Sequence, residues 1–495
     1  MKHALLRSRP LLTATIVLAL AACARAPAKL DHPVLRDDVP LAGLDTATRA
    51  GWPAAQWWRK YDDPQLDKLI EQAVRQSPDI ALAQTRVQSA QQSVRLAAAQ
   101  MGLSINGNAQ VSRQRMSEHG LIPSEFLGFT WYNQADIGLQ LQYDFDWWGK
   151  KRATVEAALD EAHAAQAQRS AAALAIQYAV ADTYFGWQAD QARLQLVKQM
   201  LSTQQQLAQI AALRVRQGVD LPDETQKANA RVAALNGMRV AIEGSAQIRR
   251  VALAALLGIA PAELPELHVR PLPAVERGIP TDAGIDLIAR RPDIVASRWQ
   301  VESMLKKTDA ARAAFFPDIG ISAMAGLSSI EMDKLFTLGS RTFALTPALH
   351  LPIFNGGALK ANYGLSKAQL DSAVAQYNSA VLGAARDVAT QALNAEQLAA
   401  RRIAQQGELD ADRQLLATAQ ARLRQGVRDG RESLAAKAQL LQQRDTAVQL
   451  QSQALSADLA LIKALGGGYR RADTLPTPRT APHSSSTGAA DHERH

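Results

Sequence analysis

The stretch DIGLQLQYDFDWWGKKR, residues 136–152, decides how the rest of this chain is read. Ile137, Leu139, Leu141, Tyr143, Phe145 and Trp147 hold every second position, and Asp136, Gly138, Gln140, Gln142, Asp144 and Asp146 fill the gaps. An extended chain with this alternation has one apolar face and one acidic or amide face. Gly149 then breaks the pattern, and a long Ala-, Gln- and Leu-rich sequence of helical character begins.

The same event occurs twice. Phe343, Leu345, Pro347, Leu349, Leu351 and Ile353 repeat the alternation at an offset of about 206, and Gly357 repeats Gly149 at 208. RQGV stands at 216–219 and again at 424–427. SPDIALAQTRVQSA from Ser77 matches RPDIVASRWQVESM from Arg291 at an offset of 214. One long unit is therefore duplicated, which differs from a solenoid of short repeats. Each half reads helix, strand, strand, long helix, helix. The first half, 57–258, is expected to hold a helix from Pro64 to Gln100, strands at about 104–113 and 136–147, and a hairpin over 149–257. The second, 282–465, is expected to hold a helix over 282–313, strands at about 318–330 and 342–354, and a hairpin over 357–465, with 259–281 as linker. From Gly149 to Arg216 there is no proline and no internal glycine but Gly186. An uninterrupted helix of that length spans about 100 Å. Leu434, Leu441, Val448, Leu455 and Ile462 fall every seven residues, a coiled-coil seam. Leu221, Ala228, Leu235 and Ile242 repeat it, and Leu174, Tyr178, Ala181 and Phe185 follow a 4-3-4 spacing.

At 495 residues the chain is too long for one ordinary core. Its formal charge is +8, and +5 without Lys2, Arg7 and Arg9 of the leader. The remaining cations are interspersed with acids, so no nucleic-acid partner is expected. Beyond the N-terminus no run of about 18 apolar residues offers a membrane helix. Residues 1–22 read as an export signal, with a basic start and a short apolar run before Cys23, the chain's one cysteine. Leu20-Ala21-Ala22-Cys23 resembles the bacterial lipoprotein signal, which implies an acylated Cys23 opening a lipid-anchored segment, 23–56. Ala24, in place of Asp, favours outer-membrane sorting by the same resemblance. No zincin-like His pair, phosphate-cradling glycine loop or nucleophile elbow is present, so neither an enzyme nor a cofactor or metal site is expected. Residues 466–495, polar and carrying His483, His492 and His495, read as a disordered tail.

Strictly alternating strands of about ten residues are what crosses an outer membrane, where every backbone group must be paired in a closed barrel. Two strands per half make four per chain, too few for a conducting barrel. Three chains supply twelve strands, with six long hairpins continuing as a tube. Ile137, Leu139, Leu141, Phe343, Leu345 and Leu349 are then the lipid face. The Asp and Gln face lines water, and Trp147 and Trp148 sit near the inner interface. Asp144 and Asp146 lie at the foot of the strand or at the turn below it.

WWRKYDDPQLDKLIEQAV (57–74), the twin PDI segments, YDFDWWGKKRA (143–153), LPIFNGGALKA (351–361) and the twin RQGV turns together resemble the TolC-type outer-membrane efflux proteins, in their NodT-type lipoprotein branch. The resemblance implies a lipidated homotrimer with a twelve-stranded outer-membrane barrel and a periplasmic α-helical barrel. It also implies a periplasmic membrane-fusion adaptor and an inner-membrane transporter of the major-facilitator, fusaric-acid or resistance-nodulation-division type. By that resemblance the turns Arg216, Gln217, Gly218, Val219 and Arg424, Gln425, Gly426, Val427 meet the adaptor. Acidic gate positions map onto Glu224 and Glu432, the sixth residue after each turn glycine; at the ninth after Gly426 this chain has Ala435. Asp220, Asp223 and Asp429 are the further gate candidates, and first-turn acids that merely complement the helix dipole are the competing reading of Glu224 and Glu432. The rival for the whole chain is a periplasmic coiled-coil adaptor lipoprotein without a pore.

Overall fold

The computed structural model describes residues 27–28, 34–37, 39, 51–117, 128–275, 280 and 283–470. The leader, Cys23 and the tail beyond 470 lie outside them. After a 3-10 turn at Trp57–Tyr61 the first half runs α1 (Pro64–Gln76), α2 (Pro78–Ala99), β1 (Ser104–Arg115), β2 (Trp131–Phe145), α3 (Lys150–Arg216) and α4 (Pro222–Leu257). The second runs α5 (Ala283–Arg290), α6 (Pro292–Ala313), β3 (Asp318–Ser329), β4 (Arg341–His350), α7 (Ala358–Arg424) and α8 (Gly430–Ala464).

Two expected elements divide. The helices read over 64–100 and 282–313 are each two, broken at Ser77 and Arg291. A proline ring pushes the residue before it out of the helical region, and both residues are extended, with ψ of 127° and 116°. The PDI motif thus marks a second helix start in each half. β2 begins earlier than expected and ends before Trp147, and β4 stops at His350. Leu221, read as a seam position, is exposed at the tip, whereas Ala228 and Ile242 of the same series are buried.

The long helices α3 and α7 are 67 residues each and start identically, from glycines at φ 75° and 87°. They also end identically. Val219 N–H bonds to Arg214 O and Val427 N–H to Arg422 O, across Gly218 and Gly426 at φ 72° and 69°. That six-to-one bond over a left-handed glycine closes a helix and reverses the chain. The return helices α4 and α8 are 36 and 35 residues.

The cores sit partway along the long helices. One gathers Trp57, Trp58, Leu66, Ile70, Tyr184, Leu253 and Leu257; the other gathers Leu287, Ile294, Tyr377, Val381 and Leu465. The linker is laid onto the first half, since Gln188 on α3 donates to His268 O and accepts from Arg270 N–H. Beyond the cores the seams are narrow and polar ties join the helices. Arg193 on α3 grips the fully buried Asp445 on α8 at 2.8 and 3.3 Å. Arg249 on α4 reaches Asp190 on α3 at 2.9 Å by lying across Gly186, where a Cβ would strike the guanidinium. The one internal glycine of α3 is therefore a passage for a half-exposed arginine reaching a buried carboxylate.

Removing one member of such a pair strands the other, at a cost of about 3 kcal/mol. Asp445→Ala is expected to lower the denaturant midpoint accordingly, and adding Arg193→Met to restore part of the loss. An unchanged midpoint for Asp445→Ala would show that the tie contributes nothing.

Candidate functional site

The strands form one antiparallel sheet in the order β1-β2-β3-β4, so the two halves meet at β2–β3. Register places Leu139 beside Ala325 and Phe343, Leu141 beside Ala323 and Leu345, and Phe145 beside Ile319 and Leu349. The six apolar residues singled out in the sequence thus share one face, and Phe343 is 74 % exposed on it. The opposite face aligns Asn108, Gly138, Gly326 and Thr342, then Gln140, Met324 and Ala344, then Gln142, Ser322 and Thr346. Among the described strand residues this polar face carries no Lys or Arg. Its carboxylates are engaged: Asp136 accepts from Ser328 at 2.6 Å, Asp144 meets Lys151 at 3.2 Å, and Asp318 meets Lys150 at 3.4 Å. Gly326 faces Gly138 so closely that a Cβ would lie 2.8 Å from the Gly138 Cα. Among the described residues β1 and β4 each pair on one side only.

Below the sheet the DWWGKK segment is an elbow. Asp146 accepts from Lys151 N–H at 2.9 Å and Arg152 N–H at 2.8 Å, so it caps α3. Trp148 stacks on Phe316 at 4.6 Å and donates to Pro317 O at 2.9 Å, which ties the elbow to the entry of β3. Trp147 is 69 % exposed.

At the far end, about 100 Å away by helix length, the acidic candidates are not a bare ring. Asp220 holds Arg214 through two bonds of 2.7 and 2.9 Å and lies 3.8 Å from Arg431 on the other hairpin. Asp429 caps α8 through Arg431 N–H and pairs with the Arg431 guanidinium at 2.9 Å. Lys227 sits 2.8 Å from both Asp223 and Glu224, and Glu432 pairs with Arg422 at 2.8 Å. Hydrogen bonds from Arg214, Lys227 and Arg431 hold the carboxyls of Asp220, Asp223 and Asp429 below the ordinary Asp range. Arg216, Gln217, Gly218, Val219 and their counterparts Arg424, Gln425, Gly426 and Val427 are exposed. Sequence reading missed the cations Arg214, Arg422 and Arg431. The signal for the first two was present, because both turns extend to RxRQGV at 214–219 and 422–427.

Residues 69–259 and 285–467 match the family model described as "Outer membrane efflux protein". The chain belongs to that family. Relatives within it include the multidrug resistance outer membrane proteins MdtP and MdtQ of Escherichia coli. MdtP is 33 % identical over 88 % of this chain and 90 % of its own length; MdtQ is 34 % identical over 92 % and 97 %. The outer membrane protein VceC of Vibrio cholerae matches in structure, with a TM-score of 0.75, 33 % identity, and coverage of 84 % of this chain and 100 % of its own. Membership in the outer membrane efflux protein family removes the adaptor reading. It places the chain in the outer membrane, in a family of channels rather than enzymes. Among the described residues no helix is long and apolar enough to cross a membrane.

The Asp220–Arg431 contact joins the two hairpin tips directly. Spin labels at Val219 and Val427 are expected to move apart in Asp220→Ala and to keep their distance in Glu224→Gln, whose partner Lys227 lies on the same helix. Equal distances in all three proteins would remove Asp220 as the tie.

Proposed function

We propose that three copies of this chain close one twelve-stranded barrel in the outer membrane and one helical tube below it. The assembly is a passive exit duct for drugs or toxic compounds in a tripartite efflux system. The observation that carries this reading is the sheet, with one apolar face, one face of amides, hydroxyls and carboxylates, two edges unpaired among the described residues, and two strands that each lead into a 67-residue helix. A periplasmic adaptor docks on the exposed RQGV turns and delivers substrate from an inner-membrane transporter. That transporter is of the major-facilitator, fusaric-acid or resistance-nodulation-division type.

Acylation of Cys23 fits the path of the segment that follows it. Val39 is buried beside Gly284, Arg36 meets Tyr377 and Asn378, and Pro27 O accepts from Arg312 at 2.8 Å, one residue before α6 ends below β3. The segment thus climbs toward the sheet in the direction of Cys23. The four residues from Pro27 back to Cys23 reach about 14 Å at most, which keeps an acyl chain within range of the membrane's inner surface.

The tip pairs serve as the closing latch of the duct. Asp220 and Arg431 link the hairpins, Asp429 positions Arg431, and Asp223, Glu224 and Glu432 hold the flanking cations.

Planar-bilayer recording tests the duct: discrete channels are expected, and a pure trimer that never conducts would contradict it. Asp220 has a depressed native pKa, so its contribution to closure is complete above the unfolded value of about 3.9 and disappears as pH falls through the lower native value. Closed-state conductance is expected to be flat from about pH 8 to 5 and to rise only below about 4. Neutralising Glu224 and Glu432 together is expected to raise it at neutral pH; no change would remove them from the latch. Charge reversal at Arg216 and Arg424 is expected to weaken adaptor cross-linking and efflux.

A further inference from the structure

We propose that the outer rim of the sheet, on its apolar face, binds the phosphate groups of a glycolipid in the outer leaflet of the outer membrane. The proposal rests on that face meeting lipid. Arg113 follows Val111 on the same side of β1, and its guanidinium lies 5.5 Å from the ring centre of Trp131 on β2, which fixes it to the apolar side. Arg341 opens β4 opposite Leu327, and its Nε donates to Leu338 O at 3.1 Å. Among the described residues neither guanidinium has a carboxylate partner.

The β3–β4 connection supplies the apolar part of the site. It is held by Thr337 and Ser340 hydroxyls that both donate to Lys334 O at 2.7 Å. Its turn Met332–Lys334 packs against β2, where Ala135, on the apolar side, is 1 % exposed, and Leu335 is buried. The connection therefore folds back over the outside of the sheet. It nevertheless leaves Phe336 at 77 % and Leu338 at 76 % exposure, with Met332 also outward. A fixed segment that points large apolar groups outward next to Arg341, on the face that also carries Arg113 and Trp131, matches a lipid whose acyl chains lie next to anionic phosphates. Free phosphate has no use for the apolar part. Closing the ring sets β4 of one copy beside β1 of the next, so each junction carries Arg341 and Arg113 on one face.

The test is native mass spectrometry of the detergent-solubilised full-length protein. It is titrated with a bisphosphorylated lipid A, with the same lipid after removal of its phosphates, and with inorganic phosphate. The phosphorylated lipid is expected to bind about tenfold more tightly than the dephosphorylated one. Arg113→Gln with Arg341→Gln is expected to abolish that preference while conductance persists. Should the double variant not assemble, Arg113→Gln alone is expected to reduce the preference at least about threefold. Phe336→Ser with Leu338→Ser is expected to weaken both lipids alike. Equal binding of the two lipids by the native protein, an undiminished preference in the arginine variants, or full displacement by equimolar inorganic phosphate would overturn the proposal. Lipid discrimination by a protein that forms no conducting trimer would support the site and strike the channel reading instead.

Discussion

A strand inside lipid has no water to satisfy its backbone, so every N–H and C=O must find another strand. The sheet here has two edges, β1 and β4, whose outer sides pair with nothing among the described residues. Each buried unpaired group costs several kcal/mol in hydrocarbon, which makes an open four-stranded sheet in a membrane untenable. Four strands are also too few to close on themselves around water. On the proposed reading further copies satisfy that edge, and the antiparallel order allows β4 of one chain to meet β1 of the next. The protomer is then a sector of the proposed barrel.

The same geometry determines what lies below. β2 and β4 descend into helices that stay continuous for 67 residues, supported by apolar cores only partway along their length. The starts are enforced by glycines in the left-handed region and, on α3, by the Asp146 cap. Along the length, Ala-rich seams allow close approach, and ion pairs with buried carboxylates, Arg193–Asp445 and Arg249–Asp190, hold register between helices. At the tips the Asp220–Arg431 ion pair connects the two hairpins. Stabilisation thus passes from backbone pairing in the sheet, to packing in the middle, to charge at the end. The weakest of these, screened by water and salt, sits at the tips, the end of the duct proposed to open.

Much of this was legible in the residues. Strict alternation over 137–147 and its repeat at 343–353 have period two, and side chains that alternate can share a face in only one way, so the set on the apolar face emerged without coordinates. The hairpin lengths followed from the absence of proline over 149–216. Two kinds of feature were hidden. Local breaks at Ser77 and Arg291 depend on the ring of the next residue, and the helical periodicity on either side conceals them. Polar pairing between elements far apart in sequence, the Asp220–Arg431 ion pair or the hydrogen bond that the Ser456 hydroxyl donates to Asp182, has no sequence signal at all. Asp146 resembled one more polar-face residue, because alternation does not reveal where a strand ends and a cap begins. The positions of the described residues between 27 and 39 were equally silent, since Pro27 and Arg36 offer backbone carbonyls to side chains some 300 residues away.

The central claim is that β1 and β4 are joined between copies. The most direct measurement is disulfide formation in membranes between a cysteine at Ala109 in β1 and a cysteine walked along β4 from Thr342 to Ala348. Covalent trimers at one register, with dimers as their precursors and no cross-link within a chain, are the predicted result. Cross-links confined to single chains, or none at any register, would contradict the shared barrel.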